Sequence, residues 1–246
     1  MAEKLIGIVG GVGSYAGLSL IKNIYDLSEA TCDQEHLPVA MLALPAQTPD
    51  RTQYLLGEID TNPGIIIAEI ITTLVGAGAE IIGIPCNTAH AKPIYNHILT
   101  HIPSSVKMIH LIEEVGIHLQ KYHPEMRKVG LLATNGTLAS NIYRDTLEKY
   151  NLEVIYPNDN IQENLVQAAI YDKDYGIKAF ASPLKTRAIN DLMKAGSALC
   201  EEGAETVILG CTEIALALSG VLIEKRITID SVAVLATALI RESRGK

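Results

Sequence analysis

Gly78-Ala79-Glu80-Ile81-Ile82-Gly83-Ile84-Pro85-Cys86-Asn87-Thr88 is echoed 125 residues further on by Gly203-Ala204-Glu205-Thr206-Val207-Ile208-Leu209-Gly210-Cys211-Thr212-Glu213. Each stretch is an apolar run closed by a cysteine. A second echo, Gly7-Ile8-Val9-Gly10-Gly11-Val12-Gly13 against Gly130-Leu131-Leu132-Ala133-Thr134-Asn135-Gly136, repeats at a spacing of 123. Two echoes at nearly one shift, about half of a 246-residue chain, mean two similar halves. Each half ends a strand-like run on one thiol, which suggests two opposed bases across one cleft.

Short β-rich runs alternate with helix-period segments along the whole chain, the pattern of crossover helices joining strands of mainly parallel sheets. Eight strands are expected. They are Leu5 to Gly10, Pro38 to Leu44, Glu80 to Pro85 and Val106 to His110 in the first half, and Lys128 to Ala133, Leu152 to Tyr156, Thr206 to Gly210 and Arg226 to Ile229 in the second. Their continuous apolar character predicts burial on both faces. Asn62-Pro63 carries the cap and first-turn chemistry of a helix whose stripe is Ile66, Ile67, Ile70, Ile71, Leu74 and Val75, ended by Gly76 and Gly78. Ser231 is expected to cap a last helix that turns Val234, Leu235, Ala238 and Leu239 inward. The long connection 45–62, with Pro49-Asp50-Arg51-Thr52 as a turn into a helix, follows a strand's carboxyl end, where open sheets bind ligands. Its counterpart is the polar connection 172–185.

Composition narrows the function. With 48% apolar residues the chain buries an ample core. A net charge of −8, one Phe and no Trp leave neither a basic footprint nor a stacking platform for nucleic acid. Met1-Ala2-Glu3-Lys4 shows no basic region ahead of an apolar stretch, and no apolar run reaches membrane-spanning length. The expectation is a cytoplasmic protein with a small-molecule partner and no membrane or nucleic-acid partner. Four cysteines are too few for a disulfide scaffold.

Of these four, Cys86 and Cys211 stand where a strand meets a predicted helix, so that free N–H groups and the helix dipole favour a thiolate. Cys32 and Cys200 lack that context and are read as inert. Glu213, two residues beyond Cys211, opposes thiolate formation there if it stays charged, so the two sulfurs need not be equally acidic. Cys86 and His90 are four apart on one predicted helix, the spacing of a zinc pair, but no Cys-x-x-Cys completes a ligand set and no metal site is expected. His90 is read as a helix-face residue or a hydrogen-bonder to the site. Gly10-Gly11-Val12-Gly13 continues to Gly17, which breaks the dinucleotide spacing, and no acidic residue follows Leu44-Pro45-Ala46-Gln47 to hold a ribose. The glycines are expected to bring backbone N–H groups to a small anion such as a carboxylate. Arg51 and Lys178, one in each half's polar loop, would together grip a dicarboxylic ligand, and Thr134 and Thr137 would add hydroxyls.

At these residues the chain resembles the aspartate/glutamate racemase family over nearly its whole length. The matches are Gly10 to Gly13, Pro-Asp-Arg-Thr at 49–52, Cys-Asn-Thr at 86–88, Leu-Leu-Ala-Thr with Gly-Thr at 131–137, Gly-Ile-Lys-Ala at 176–179 and Gly-Cys-Thr-Glu at 210–213. The paired cysteine motifs are the specific part. The resemblance implies an α/β fold of two pseudo-symmetric lobes, each a mainly parallel four-stranded sheet flanked by helices, with the active site in the inter-lobe cleft. It implies an amino-terminal lobe of residues 1–103 with about 214–246, where the last segment folds back, and a second lobe of 104–213. It also implies a homodimer and no cofactor. By the same similarity Cys86 and Cys211 are the two bases, Arg51 and Lys178 hold acidic groups, and Val12, Gln47, Thr52, Asn87, Thr88, Thr134 and Thr212 bind substrate. Glu213 matches the aspartate branch, whereas the glutamate branch typically has His there. Departures lie in Gly-Gly-Val-Gly-Ser at 10–14, where the family often has Gly-Gly-Met-Gly-Pro, and in Leu44 to Thr48; both touch the pocket wall. The activity implied is interconversion of L and D aspartate, glutamate or a related amino acid. Maleate isomerisation, hydantoin racemisation and non-catalytic amino-acid binding are the alternatives.

Overall fold

In the computed structural model, which describes residues 3–245, all eight expected runs are strands. They are β1 (Ile6–Gly10), β2 (Val39–Ala43), β3 (Ile81–Gly83), β4 (Lys107–Ile109), β5 (Lys128–Leu132), β6 (Glu153–Ile155), β7 (Thr206–Leu209) and β8 (Thr228–Asp230). They form two all-parallel sheets with orders β2-β1-β3-β4 and β6-β5-β7-β8, the same order twice. Burial on both faces holds for β1, β3 and β7, which lie inside their sheets. It fails at β2, β4, β6 and β8, because a sheet edge has a neighbour on one side only.

The helices are α1 (Ala16–Leu27), α2 (Arg51–Leu55), α3 (Gly64–Gly76), α4 (Lys92–His101), α5 (Leu111–Tyr122), α6 (Asn135–Ala139), α7 (Ile142–Leu147), α8 (Asp159–Ile161), α9 (Ala168–Tyr171), α10 (Thr186–Glu201), α11 (Thr212–Leu218) and α12 (Ser231–Ser243). A π-helical turn, Gln162–Gln167, joins α8 to α9. Asn62 accepts from the Gly64 N–H at 2.8 Å, and α3 buries Ile67, Ile70, Ile71 and Leu74 of its predicted stripe. Asp50 caps α2 by accepting from the Thr52 and Gln53 N–H groups, so Pro-Asp-Arg-Thr is the helix entry the sequence predicts. The cap of α12 is Asp230, not Ser231: the Asp230 carboxylate accepts from Val232 and Ala233, and the Ser231 hydroxyl donates instead to the Leu209 carbonyl.

Sheet pairing moves the expected lobe boundaries. β4, placed in the second lobe by a boundary at 104, pairs with β3 and belongs to the first sheet. β8 pairs with β7, so about 214–230 stays with the second sheet, and only α12 returns to pack on α1, α5 and β3. Met1, Ala2 and Lys246, included in the expected lobes, lie outside the described residues. α12 leaves the second sheet to cover the first, where Leu239 fills the space over Gly83, and α5 leaves the first to pack on α7 of the second. This exchange joins Ile6, Ile8, Val129, Leu131 and Leu239 in one apolar cluster, so the two sheets share a core. Each sheet has its switch point between its first and third strands, and ligands bind outside the carboxyl ends there.

Candidate active site

Cys86 follows β3 and Cys211 follows β7, the equivalent strands of the two sheets. Both are buried at 7% exposure, and both line a single cavity of about 20 Å³ between the lobes. The helix expected directly after Cys86 is absent. A 3₁₀ turn, Thr88–His90, intervenes and α4 starts at Lys92, because Pro93 lacks an N–H and fits only a helix's first turn. Cys211 meets its expectation as the N-cap residue of α11.

Val12, Arg51, Thr52, Asn87, Thr88 and Thr134 share that cavity with the cysteines, and so do Lys178, Thr212 and Glu213. Gln47 does not. It is exposed because a tight turn, Gln47 N–H to the Leu44 carbonyl at 3.1 Å, faces its side chain outward, and the neighbouring Thr48 turns inward instead. Tyr171 lines the cavity without a signal in the sequence; its hydroxyl lies 3.2 Å from Thr52 Oγ1 and its ring lies under the Lys178 ammonium. Nothing local marks it, since its partner is 119 residues away.

Twenty cubic ångströms hold one water, not an amino acid. A chamber of about 380 Å³ adjoins it through Arg51, Lys178, Thr212 and Glu213, which line both. Two threonines from each lobe meet beside the inner cavity, which Thr52, Thr88 and Thr134 line. Thr52 donates to Thr134 at 3.1 Å, Thr88 bonds Thr137 at 2.8 Å and Thr134 at 3.2 Å, and Thr134 bonds Thr137 at 3.2 Å. Glycines permit the approach: a Cβ on Gly136 would stand 2.7 Å from Thr52 Cα, and one on Gly13 2.9 Å from Thr212 Oγ1. Gly13 thus approaches the opposite lobe, and with Gly11 it also lines the chamber.

The two sulfurs sit in different fields. Burial opposes the Arg51 charge, but the neighbouring Cys86 sulfur and Asp50 outweigh it and raise the guanidinium's pKa. Glu213 bridges the other side: Lys178 Nζ lies 2.7 Å from its Oε1, while the Cys211 thiol and Thr212 hydroxyl each donate to its Oε2 at 3.0 Å. Burial would raise the Glu213 pKa, yet the Lys178 pair brings it down to about 2. Burial first, and then the Glu213 charge, push the Cys211 thiol well up. Cys211 is therefore held as a thiol, the point the sequence leaves open.

His90, read as a helix-face residue or hydrogen-bonder, is a buried hydrogen-bonder. Its Nδ1 lies 2.9 Å from the Cys86 carbonyl, which can only accept, so Nδ1 carries the proton. Burial and His110 bring its pKa down to about 3, so the ring stays neutral. Among the described residues, no group of three or more His, Cys, Asp or Glu is placed to hold a metal, and no helix is long and apolar enough to cross a membrane. Cys200 is buried in the second lobe's core and Cys32 is exposed.

Residues 9–239 match the family model for Asp/Glu/hydantoin racemases. The chain is 27% identical over 240 residues to the broad-specificity amino-acid racemase RacX of Bacillus subtilis (strain 168), covering 96% of both chains. Over 99 residues it is 33% identical to an uncharacterised protein of Pectobacterium carotovorum subsp. carotovorum, covering 39% of this chain and 59% of that protein. The fold superposes on the aspartate racemase of Picrophilus torridus with a TM-score of 0.79 at 25% identity, covering 98% of this chain and 94% of that one. Two like sheets, a cysteine after the third strand of each and a family match from end to end of the core agree: the chain belongs to the Asp/Glu/hydantoin racemase family and is a racemase, an isomerase.

Proposed function

We propose that this racemase interconverts the L and D forms of aspartate, glutamate or a related amino acid by proton transfer between Cys86 and Cys211. One observation carries the reading: the two cysteines come from equivalent strands of opposed sheets and face one cavity. An α-hydrogen is very weakly acidic, so inversion needs a base on one face of Cα, a proton donor on the other, and stabilisation of the enolate-like carboxylate between them. Cys211, protonated on Glu213, is the donor of the resting enzyme, and Cys86, beside the Arg51 cation, is the base. After one turnover the roles are exchanged, and the opposite enantiomer restores them. The side chains of Asn87, Thr88 and Thr134 and the backbone N–H of Thr212, whose hydroxyl is spent on Glu213, supply donors to the carboxylate, each well-placed donor being worth about 3 kcal/mol in the transition state.

Arg51 and Lys178 stand where the inner cavity meets the chamber, in reach of a side-chain carboxylate on a substrate entering that way. Lys178 is paired with Glu213, so the substrate's acidic group shares or displaces that pair. Family similarity also supports a cytoplasmic homodimer, which light scattering on the purified protein tests. The deciding experiment is proton NMR of an L-amino-acid panel in deuterium oxide with wild type, Cys86→Ala and Cys211→Ala. Exchange at Cα with growth of the D form is expected only in the wild type. Near-normal racemisation by either variant removes the two-base reading, and binding without exchange by the wild type leaves only an amino-acid-binding role.

A further inference from the structure

Asn87, the residue after Cys86, is 2% exposed and its side-chain amide is held from two sides. The Tyr143 hydroxyl on α7 lies 2.6 Å from its Oδ1, and its Nδ2 lies 3.2 Å from the Ser231 hydroxyl, which lies 2.9 Å from the Leu209 carbonyl. Tyr143 and Ser231 are themselves buried, at 1% and 0% exposure, and neither lines the cavity. Hence they cannot touch substrate there.

The polarity of this chain follows from its last member. A carbonyl only accepts, so the single hydroxyl hydrogen of Ser231 goes to Leu209. Ser231 must then accept from Asn87, which requires the Asn87 NH₂ on that side and its oxygen toward Tyr143. Tyr143 must therefore donate; burial raises its pKa, and the hydroxyl keeps its proton. With its oxygen spent and one amide hydrogen engaged, Asn87 keeps one hydrogen without a partner among the described residues, on a side chain that lines the cavity. It can offer substrate a donor and no acceptor.

Resting on the racemase reading above, we propose that Tyr143 and Ser231 are positioning residues, fixing the Asn87 amide as an N–H donor to the substrate carboxylate. The same chain ties the loop of Cys86 to the strand that leads into Cys211, since Leu209 ends β7 two residues before it. In the second half Thr212 follows the cysteine where Asn87 does in the first, and its hydroxyl turns to Glu213, so the device exists on one side of the cleft.

The test uses the full chain with Tyr143→Phe, which deletes only the oxygen, and Ser231→Ala. If Asn87 acts mainly on the developing enolate, kcat falls about tenfold to a hundredfold in each variant while KM stays within about threefold. A role in packing alone lowers the melting temperature and leaves kcat within about twofold, and that result overturns the proposal. Side-chain NMR of protein labelled with ¹⁵N-asparagine supplies a readout that needs no turnover: the Asn87 amide proton on Ser231 should resist exchange in the wild type and lose protection in Ser231→Ala. An Asn87 amide with both protons exchanging freely in the wild type also overturns the proposal. If the wild type exchanges no α-hydrogen at all, the racemase reading fails and the carboxylate role fails with it, while the amide protection still reports the strut's polarity separately.

Discussion

The Cys211 sulfur donates to Glu213 Oε2 at 3.0 Å, and the other oxygen of that carboxylate holds Lys178 at 2.7 Å. Burial first, and then the Glu213 charge, hold one sulfur as a thiol, while the other sulfur faces Arg51. The pseudo-symmetric fold gives its two sulfurs unlike neighbours.

Glu213→Gln removes the charge that helps raise the Cys211 pKa and leaves Lys178 to favour the thiolate. The pH profile of Cys211 alkylation by iodoacetamide, followed by mass spectrometry of the cysteine peptide, is expected to move to lower pH, while burial continues to hold it up. In the wild type Cys86 should be alkylated faster than Cys211. Equal rates at both sulfurs and an unmoved profile in the variant would show that Glu213 does not govern the thiol.

Acid sensitivity has a named source in the histidines behind Cys86. Burial, first of all, and then His110 bring His90 from 6.5 to about 3; burial and Lys149 bring His110 to about 4. A depressed folded-state pKa gives stability that is complete above the unfolded value and is lost as pH falls through the folded one. Each ring therefore removes up to about 1.4 kcal/mol per pH unit, His90 between pH 6.5 and 3 and His110 between 6.5 and 4. His90→Asn, which keeps a donor for the Cys86 carbonyl, should flatten the fall of melting temperature between pH 6.5 and 4. A slope identical to that of the wild type would place the acid-labile group elsewhere.

Arg51→Ala is expected to lower kcat/KM for acidic amino acids by about a hundredfold and for neutral ones far less, since a guanidinium pairs two-pronged with a side-chain carboxylate. Steady-state kinetics on aspartate, glutamate and alanine separate the cases. An equal loss on all three would mean that Arg51 grips the carboxylate common to every amino acid, or that its work is to support the Cys86 thiolate.

Gly136→Ala would press a methyl against the Thr52 backbone of the opposite lobe, where no flexible side chain can yield. Overpacking of this kind costs about 1–3 kcal/mol, and here it also holds the lobes apart. Racemisation should drop by at least about tenfold, with a lower melting temperature. Gly76→Ala, where a Cβ meets nothing within 4 Å, is the matched control and should change neither.

Much of this was legible because strands and their caps are local. All eight strands, the α3 stripe and the helix entry at Asp50 follow from residues close together in the chain, and the pairing of Cys86 with Cys211 follows from the repeat of one local motif 125 residues on. The misreadings have particular causes, one tertiary and the others local. The cap of α12 moved one residue back because Ser231 found a carbonyl on β7, and the helix after Cys86 yielded to a 3₁₀ turn because Pro93 delays α4. Gln47 matches a family pocket position but points outward, since the preceding turn chooses its direction.

By itself the sequence determined the duplication, the parallel α/β halves and the thiol in each, because hydrophobic periodicity and motif spacing are properties of the chain alone. The tertiary structure decided that the Cys211 thiol donates to Glu213, which way the Asn87 amide faces, that Tyr171 joins the site and that α5 and α12 trade lobes. Those outcomes depend on fields and hydrogen bonds between groups as far apart as Asn87 and Ser231, and such partners become neighbours only when the two sheets close on one core.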